Sequence, residues 1–227
     1  MLTLCLDTSG PWLNLALSRQ GTVLRGISRE VGTGHSESLP GEVGQMLSSA
    51  GVRLSDIQLL AVATGPGSFT GLRVGISFVK GLGAGRGVPC LSVNTLDAMA
   101  FSCSDHDGWL SPMIDAKKGE IYTSLYQVRE GLPVNQGRYL STEPAGWLSN
   151  LPAGTLLFGS GEAKYRELAE KHPRLRRDKD FLAKGMMLSG LARLSARLYE
   201  QGEMVRTSQL AAFYIRPADV EKARCQR

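Results

Sequence analysis

The pattern that most restricts how this chain can fold is written in it twice. Leu2, Leu4 and Leu6 alternate with Thr3, Cys5 and Asp7, so a strand with one apolar face closes on an aspartate. Thr8-Ser9-Gly10-Pro11 turns the chain, and Leu13, Leu15 and Leu17 resume the alternation before Arg19-Gln20-Gly21. In the second half, Trp109 to Asp115 reads as a strand ending in an aspartate, and Ala116-Lys117-Lys118-Gly119 as a turn. Ile121 to Val128 reads as the next strand and Arg129-Glu130-Gly131 as its turn. In both halves the second strand's first branched aliphatic residue, Leu13 or Ile121, stands six positions after the aspartate. Each half then supplies a strand, a glycine loop and a helix. These are Leu59 to Ala63, Gly65 to Gly71 and Phe69 to Ala84 in the first, and Thr155 to Phe158, Gly159-Ser160-Gly161 and Glu162 to Lys171 in the second. The expectation is an α/β chain of two like lobes on a duplicated βββαβα unit, residues 1–106 and 107–227, divided where polarity rises at Ser104-Asp-His-Asp-Gly108.

The remaining segments fit around that repeat. Leu39, Val43, Met46, Leu47 and Ala50 recur at helical spacing, with Pro40 expected in a first turn. A strand around Pro89 to Val93 precedes a short helix with Leu96, Met99 and Ala100, capped by Thr95, and a long helix runs from about Lys184 to Glu200. With 42% hydrophobic residues the chain can fill the cores of two lobes. No apolar run approaches the roughly 20 residues that span a bilayer. Met1 to Asp7 has no basic leader and is not expected to be a signal peptide. Cys5, Cys90, Cys103 and Cys225 show no CxxC spacing, which fits a reduced cytoplasmic protein. The net charge of +5 falls entirely in residues 107–227, and a pI near 9.1 permits weak attraction to a polyanion.

The duplicated unit with facing glycine loops is the plan of the actin, hexokinase and Hsp70 ATPase group. In that plan two aspartate hairpins face a nucleotide, one carboxylate assisting a metal. Asp7, Asp115, Gly159 and Gly161 occupy those positions and mark a vestigial nucleotide cleft. Two points weigh against a working one: Gly10 is followed by Pro11, which has no N–H for a phosphate, and an aspartate at a strand end also satisfies a turn. Gly65-Pro66-Gly67-Ser68-Phe69-Thr70-Gly71-Leu72-Arg73 leads into a helix but is neither a P-loop nor a nucleophile elbow. Gly71 and Gly75 stand at i, i+4, and a glycine within a helix costs about 1 kcal/mol relative to alanine. Close approach of another element is the compensation expected, from this chain or from a second subunit. His35, His106 and His172 form no metal-ligand spacing, and Ser36 is expected to cap the helix that follows His35. Arg174, Arg176 and Arg177 stand in a basic stretch that is either a solvated loop or a phosphate contact.

These motifs together resemble the bacterial TsaB (YeaZ) family. The resemblance rests on Leu4-Cys-Leu-Asp-Thr-Ser9, His35-Ser-Glu37 with Leu39-Pro40, Gly65-Pro-Gly-Ser-Phe-Thr-Gly-Leu-Arg-Val-Gly-Ile-Ser77, Ile114-Asp-Ala-Lys-Lys-Gly-Glu-Ile-Tyr122 and Tyr214-Ile-Arg-Pro217. It implies an actin-like fold and a degenerate, non-catalytic relative of the TsaD transferase, with no metal and no cofactor of its own. It also implies a role as scaffold and activator: pairing with TsaD, joined by a TsaE-type ATPase, to make N6-threonylcarbamoyladenosine in tRNA, with tRNA contacted through the complex. A homodimer is implied for the chain alone, through the first two helices. On that basis Leu39, Val43, Met46, Leu47, Gly71, Arg73, Gly75 and Val79 are the expected interface, and Arg174, Arg176 and Arg177 the expected tRNA contacts. The alternative is an autonomous ATP-dependent transferase or kinase of the same fold; a metalloprotease is disfavoured by the absent ligand spacing.

Overall fold

The computed structural model describes residues 1–182, 185 and 187–216. The first sheet is built from β1 (Leu2–Asp7), β2 (Trp12–Arg19), β3 (Thr22–Glu30), β4 (Leu59–Gly65) and β5 (Cys90–Asn94), in the order β3-β2-β1-β4-β5. β1 to β3 form an antiparallel meander, and β4 and β5 add in parallel. β1 and β4 are buried along their whole length, as central strands covered on both faces are. On one face lie α1 (His35–Ser49) and α2 (Phe69–Ala84), closing a core with Leu4, Leu6, Leu13, Leu15 and Val62. On the other face lies α3 (Thr95–Ser102).

The second sheet repeats the plan with β6 (Gly108–Lys117), β7 (Glu120–Thr123), β8 (Tyr126–Arg129), β9 (Leu132–Asn135), β10 (Leu140–Thr142), β11 (Leu156–Phe158) and β12 (Arg176–Asp178). Its order is β10-β7-β6-β11-β12, with β8 on β6 and β9 on β8. β6 pairs antiparallel with β7 and parallel with β11, as β1 does with β2 and β4. The helices α4 (Pro144–Asn150), α5 (Ser160–Lys164) and α6 (Arg166–Glu170) belong to this sheet, where Leu148, Leu157, Ala169 and Leu175 share a core with Met113 and Ile121. The strand expected over Ile121 to Val128 breaks after Thr123, where the buried Ser124 hydroxyl donates to Asn135 Oδ1 and to the Arg138 carbonyl. The helix expected over Glu162 to Lys171 breaks at Tyr165 into α5 and α6.

The expected division of the chain at residue 106 needs one correction. α7 (Met187–Glu200) follows the second sheet in sequence but packs on α3, β1, β2, β3 and β5 of the first. Met187, Leu191 and Leu194 form its buried stripe and join one core with Cys5, Ala16, Leu59 and Leu91. α3 and α7 thus fill the space between the sheets, and the same core takes in Leu110, Tyr126 and Phe158 from the second. The expected start of this helix at Lys184 lies outside the described residues, as do Pro217 and Cys225. Among the described residues no helix is long and apolar enough to cross a membrane.

Local signals also differ from expectation in three places. α1 begins at His35 after Gly34, so Ser36 is within the helix, and Pro40 sits inside it rather than in its first turn. Proline has no N–H to return to the carbonyl of Ser36, which lies on the exposed side of the helix. α3 is capped by Asn94, whose Oδ1 accepts from Leu96 N at 2.9 Å, while Thr95 is its first residue. Gly190 is what lets α7 rest on α3: a Cβ there would lie 1.9 Å from the Ala98 carbonyl oxygen. Gly190→Ala is therefore expected to destabilise the protein by ~2–3 kcal/mol through backbone overpacking. Urea unfolding measures this, and an unchanged midpoint would show that α7 packs elsewhere.

Candidate functional site

Three places were marked by the sequence: the two-aspartate cleft, the basic stretch and the α1–α2 face. Asp7 ends β1 opposite Asn14 of β2. Its Oδ1 accepts from Ser9 N at 2.8 Å and its Oδ2 from Asn14 Nδ2 at 3.0 Å, and Asn14 is oriented in turn by the Ser28 hydroxyl at 2.7 Å. His35 ties the same turn to α1, its Nε2 donating to the Gly10 carbonyl at 2.8 Å. Burial raises the pKa of Asp7, against the hydrogen bonds from Ser9 and Asn14 and the nearby His35. The arrangement is that of a carboxylate holding a turn together.

Asp115 is used differently. Its Oδ1 accepts from Lys117 N at 2.9 Å and Lys164 Nζ at 2.7 Å, and its Oδ2 from Lys117 Nζ at 2.8 Å. Partial burial works against its charge, but the bonds from Lys117 and Lys164 prevail and hold its carboxyl below the usual range. A cavity between the sheets is walled in part by Asp7, Asn14, Thr95, Ile114, Ser160 and Phe181, and Asp115 is not among its walls. It offers a water-sized sphere about 60 Å³. Small-molecule pockets run to roughly 300–1,000 Å³. Gly159 and Gly161 serve packing: a Cβ on Gly159 would lie 2.6 Å from the Met113 carbonyl oxygen, and one on Gly161 3.0 Å from Met113. Among the described residues no group of three or more His, Cys, Asp or Glu side chains could hold a metal ion.

The basic stretch is not one surface. Arg177 is largely buried, its Nε bonded to Glu162 and its Nη1 to Glu170 at 2.9 Å. Its charge is committed within the lobe, which corrects the expectation that it meets phosphate. Arg174 donates to the Ser149 carbonyl, and Arg176 is exposed on β12. The expected loop here in fact contains β12, paired in parallel with β11.

On α1 and α2 the expected interface residues are mostly core. Leu39, Val43, Met46, Leu47 and Val79 are buried against the first sheet. Gly71 and Gly75 receive Thr8 of the turn after β1: added Cβ atoms would lie 2.1 Å from Thr8 O and 2.5 Å from Thr8 Oγ1. The Thr8 hydroxyl donates to the Gly71 carbonyl at 2.7 Å. The close approach that the glycine spacing required is therefore made inside this chain. Of the expected set, Arg73 alone is exposed.

The face of α2 turned away from Thr8 carries Phe69, Thr70, Arg73, Val74, Ser77 and Phe78. With Ser36 and Pro40 of α1 they line an open groove of about 560 Å³. The Arg73 guanidinium lies 3.8 Å over the Phe69 ring. Among the described residues no carboxylate pairs with it, and no cation pairs with Glu37, which is exposed on α1. Sequence reasoning missed Phe69, Val74 and Phe78. The available signal was that α2 is apolar on both sides, more than one core requires.

The chain is similar to several known proteins. A family profile described as TsaD, tRNA N6-adenosine threonylcarbamoyltransferase, matches residues 27–136. The tRNA threonylcarbamoyladenosine biosynthesis protein TsaB of Bacillus subtilis is 35% identical over 132 residues, 58% of this chain and 58% of that protein. Its Escherichia coli namesake is 36% identical over 132 residues, 56% of this chain and 55% of that protein. The chain thus spans little more than half the length of these two curated relatives. Among solved structures, YeaZ from Pseudomonas aeruginosa superposes with a TM-score of 0.80 at 27% identity, covering 94% of this chain and 99% of that one. A hexokinase from Thermus thermophilus superposes at 0.50 with 16% identity, covering 88% and 100%, a likeness of fold alone. The fold is accordingly the actin-like one of two βββαβα sheets.

Asp7 gives a pH test of its structural use. Folding raises its pKa, so its carboxyl favours the native state while protonated, below the unfolded value of about 3.8, and that contribution is lost as pH rises through the folded value. Asp7→Asn removes the titration. Relative to wild type the variant is expected to gain stability between pH 4 and pH 7.5 in urea unfolding. A difference between the two proteins that does not change with pH would contradict the burial assigned to Asp7.

Proposed function

The chain belongs to the TsaB (YeaZ) family, and from that premise we propose that it is a non-catalytic subunit in the formation of N6-threonylcarbamoyladenosine in tRNA. It docks a TsaD-type transferase on its α1–α2 face and activates it. The observation that carries this reading is the groove of Phe69, Val74 and Phe78 beside the exposed Arg73. A helix whose second face is also apolar gains from a partner that removes that face from water.

Two further features support it. Asp115, which would assist a metal in a working enzyme of this fold, is held by Lys117 and Lys164. The stretch matching the transferase profile, residues 27–136, includes α1 and α2. A partner of the same fold therefore brings a helix pair related to this one, and two such pairs can meet face to face about an approximate twofold axis. The same geometry allows two copies of this chain to pair when the transferase is absent. A TsaE-type ATPase and tRNA join through the complex, in the cytoplasm, and the chain supplies no cofactor of its own.

Reconstitution with the TsaD-type and TsaE-type proteins of the same organism and unmodified tRNA tests the proposal. Modification is expected only when this chain is present. Phe78→Asp and the exposed Arg73→Glu are each expected to weaken association with the transferase by at least about tenfold, measured by calorimetry. Arg73→Glu should leave the melting temperature within about 3 °C of wild type, since it touches no core residue. ATP turnover by the isolated chain that disappears in Asp7→Asn would replace this reading with an autonomous ATP-dependent transferase or kinase.

A further inference from the structure

The segment from Val205 to Arg216 runs as a strap from the edge of the first sheet to the second. Val205 pairs with Cys90 through two backbone hydrogen bonds of 3.0 and 2.8 Å. Thr207 lies so close to α2 that a Cβ on Gly83 would come 2.4 Å from its methyl group, and Leu210 is buried in the α1–α2 core. Phe213 N donates to the Thr64 carbonyl at 2.7 Å, and the Phe213 carbonyl passes where a Cβ on Gly65 would be, 2.3 Å away. The Phe213 ring meets Tyr139 edge-on at 5.6 Å, and the Tyr139 hydroxyl donates to the Asp97 carboxylate, which Tyr126 shares. At the far end Arg216 donates to Glu120 at 2.8 Å and to the Ala116 carbonyl at 3.1 Å, both in the β6–β7 hairpin.

Between these anchors stands Tyr214. Its ring stacks on Phe69 at 5.3 Å with 27° between the planes, and its hydroxyl lies 3.4 Å from Arg73 Nε. We propose that Tyr214 is a positioning residue of the docking face, holding the Phe69 ring and the Arg73 guanidinium in one arrangement before a partner arrives. This rests on the reading of the α1–α2 groove as a docking site. An exposed arginine samples many rotamers and loses that freedom when it is fixed at an interface; one already held by stacking and a hydrogen bond loses less. The surface it fits is a helix of the TsaD-type partner with a carboxylate beside an apolar stripe: Arg73 faces the acid, and Phe69, Val74 and Phe78 take the stripe. Tyr214 follows the anchored Phe213 and precedes the anchored Arg216, so its position is set by both sheets.

A double-mutant cycle tests this, with calorimetric titration of the TsaD-type subunit into wild type, Tyr214→Ala, Tyr214→Phe, Arg73→Ala and the Tyr214→Ala/Arg73→Ala pair. Tyr214→Ala is expected to weaken association about tenfold and Tyr214→Phe, which keeps the stacked ring, by less than about threefold. In the Arg73→Ala background, Tyr214→Ala is expected to cost at most about threefold, because the part of its effect that passes through Arg73 is gone and only its hold on Phe69 remains. Wild-type affinity in Tyr214→Ala, or the same loss in both backgrounds, overturns the positioning role. If Phe78→Asp and Arg73→Glu abolish association while Tyr214→Ala does not, the strap role alone falls. If those two variants also bind normally, the docking face itself is wrong.

Discussion

Everything on the outer side of the first lobe depends on how closely α2 lies over the turn after β1. Thr8 occupies the space that side chains at Gly71 and Gly75 would fill, and its hydroxyl bonds to the helix carbonyl at Gly71. Two glycines in a helix carry a propensity cost of about 1 kcal/mol each. Here that cost is offset by the burial of Leu72, Ile76 and Val79. Because this contact fixes the rotation of α2, it also fixes which residues look outward. Phe69, Arg73, Val74 and Phe78 reach the groove because Gly71 and Gly75 point inward.

The inner side is governed by a different constraint, the space between two twisted sheets. Here α3 and α7 fill it, with Gly190 allowing their backbones to touch, and Phe181, Met187 and Leu191 complete a core that both sheets share. The two hairpin aspartates are each engaged by their neighbours. Asp7 is buried on the β1–β2 turn with Ser9 and Asn14, and Asp115 is matched by two lysines. Their shifts are opposite because desolvation dominates the first and cationic partners prevail at the second.

Much of the scaffold was legible because its signals are local. Strand alternation, the turn glycines and the loop before Phe69 depend on residues adjacent in sequence, and β1, β2, β4 and α2 lie where these signals put them. The Gly71 and Gly75 spacing rightly required a close neighbour but could not identify it, since Thr8 is distant in sequence. Arg177 could not be separated from Arg174 and Arg176 for the same reason. A lone arginine reads as surface until Glu162 and Glu170 are folded against it. Tyr214 carried no periodicity at all, and its place on Phe69 follows from anchors on two different sheets.

The sequence by itself determined the duplicated α/β plan, the two aspartate hairpins and the need for a tight approach to α2, because backbone conformation and side-chain periodicity are set within a few residues. Only the tertiary structure decided which face of α2 is open, that α7 returns to the first sheet, and which charges are already matched. Those outcomes depend on surfaces brought together across the chain, where packing volume and desolvation, not local preference, choose the partner.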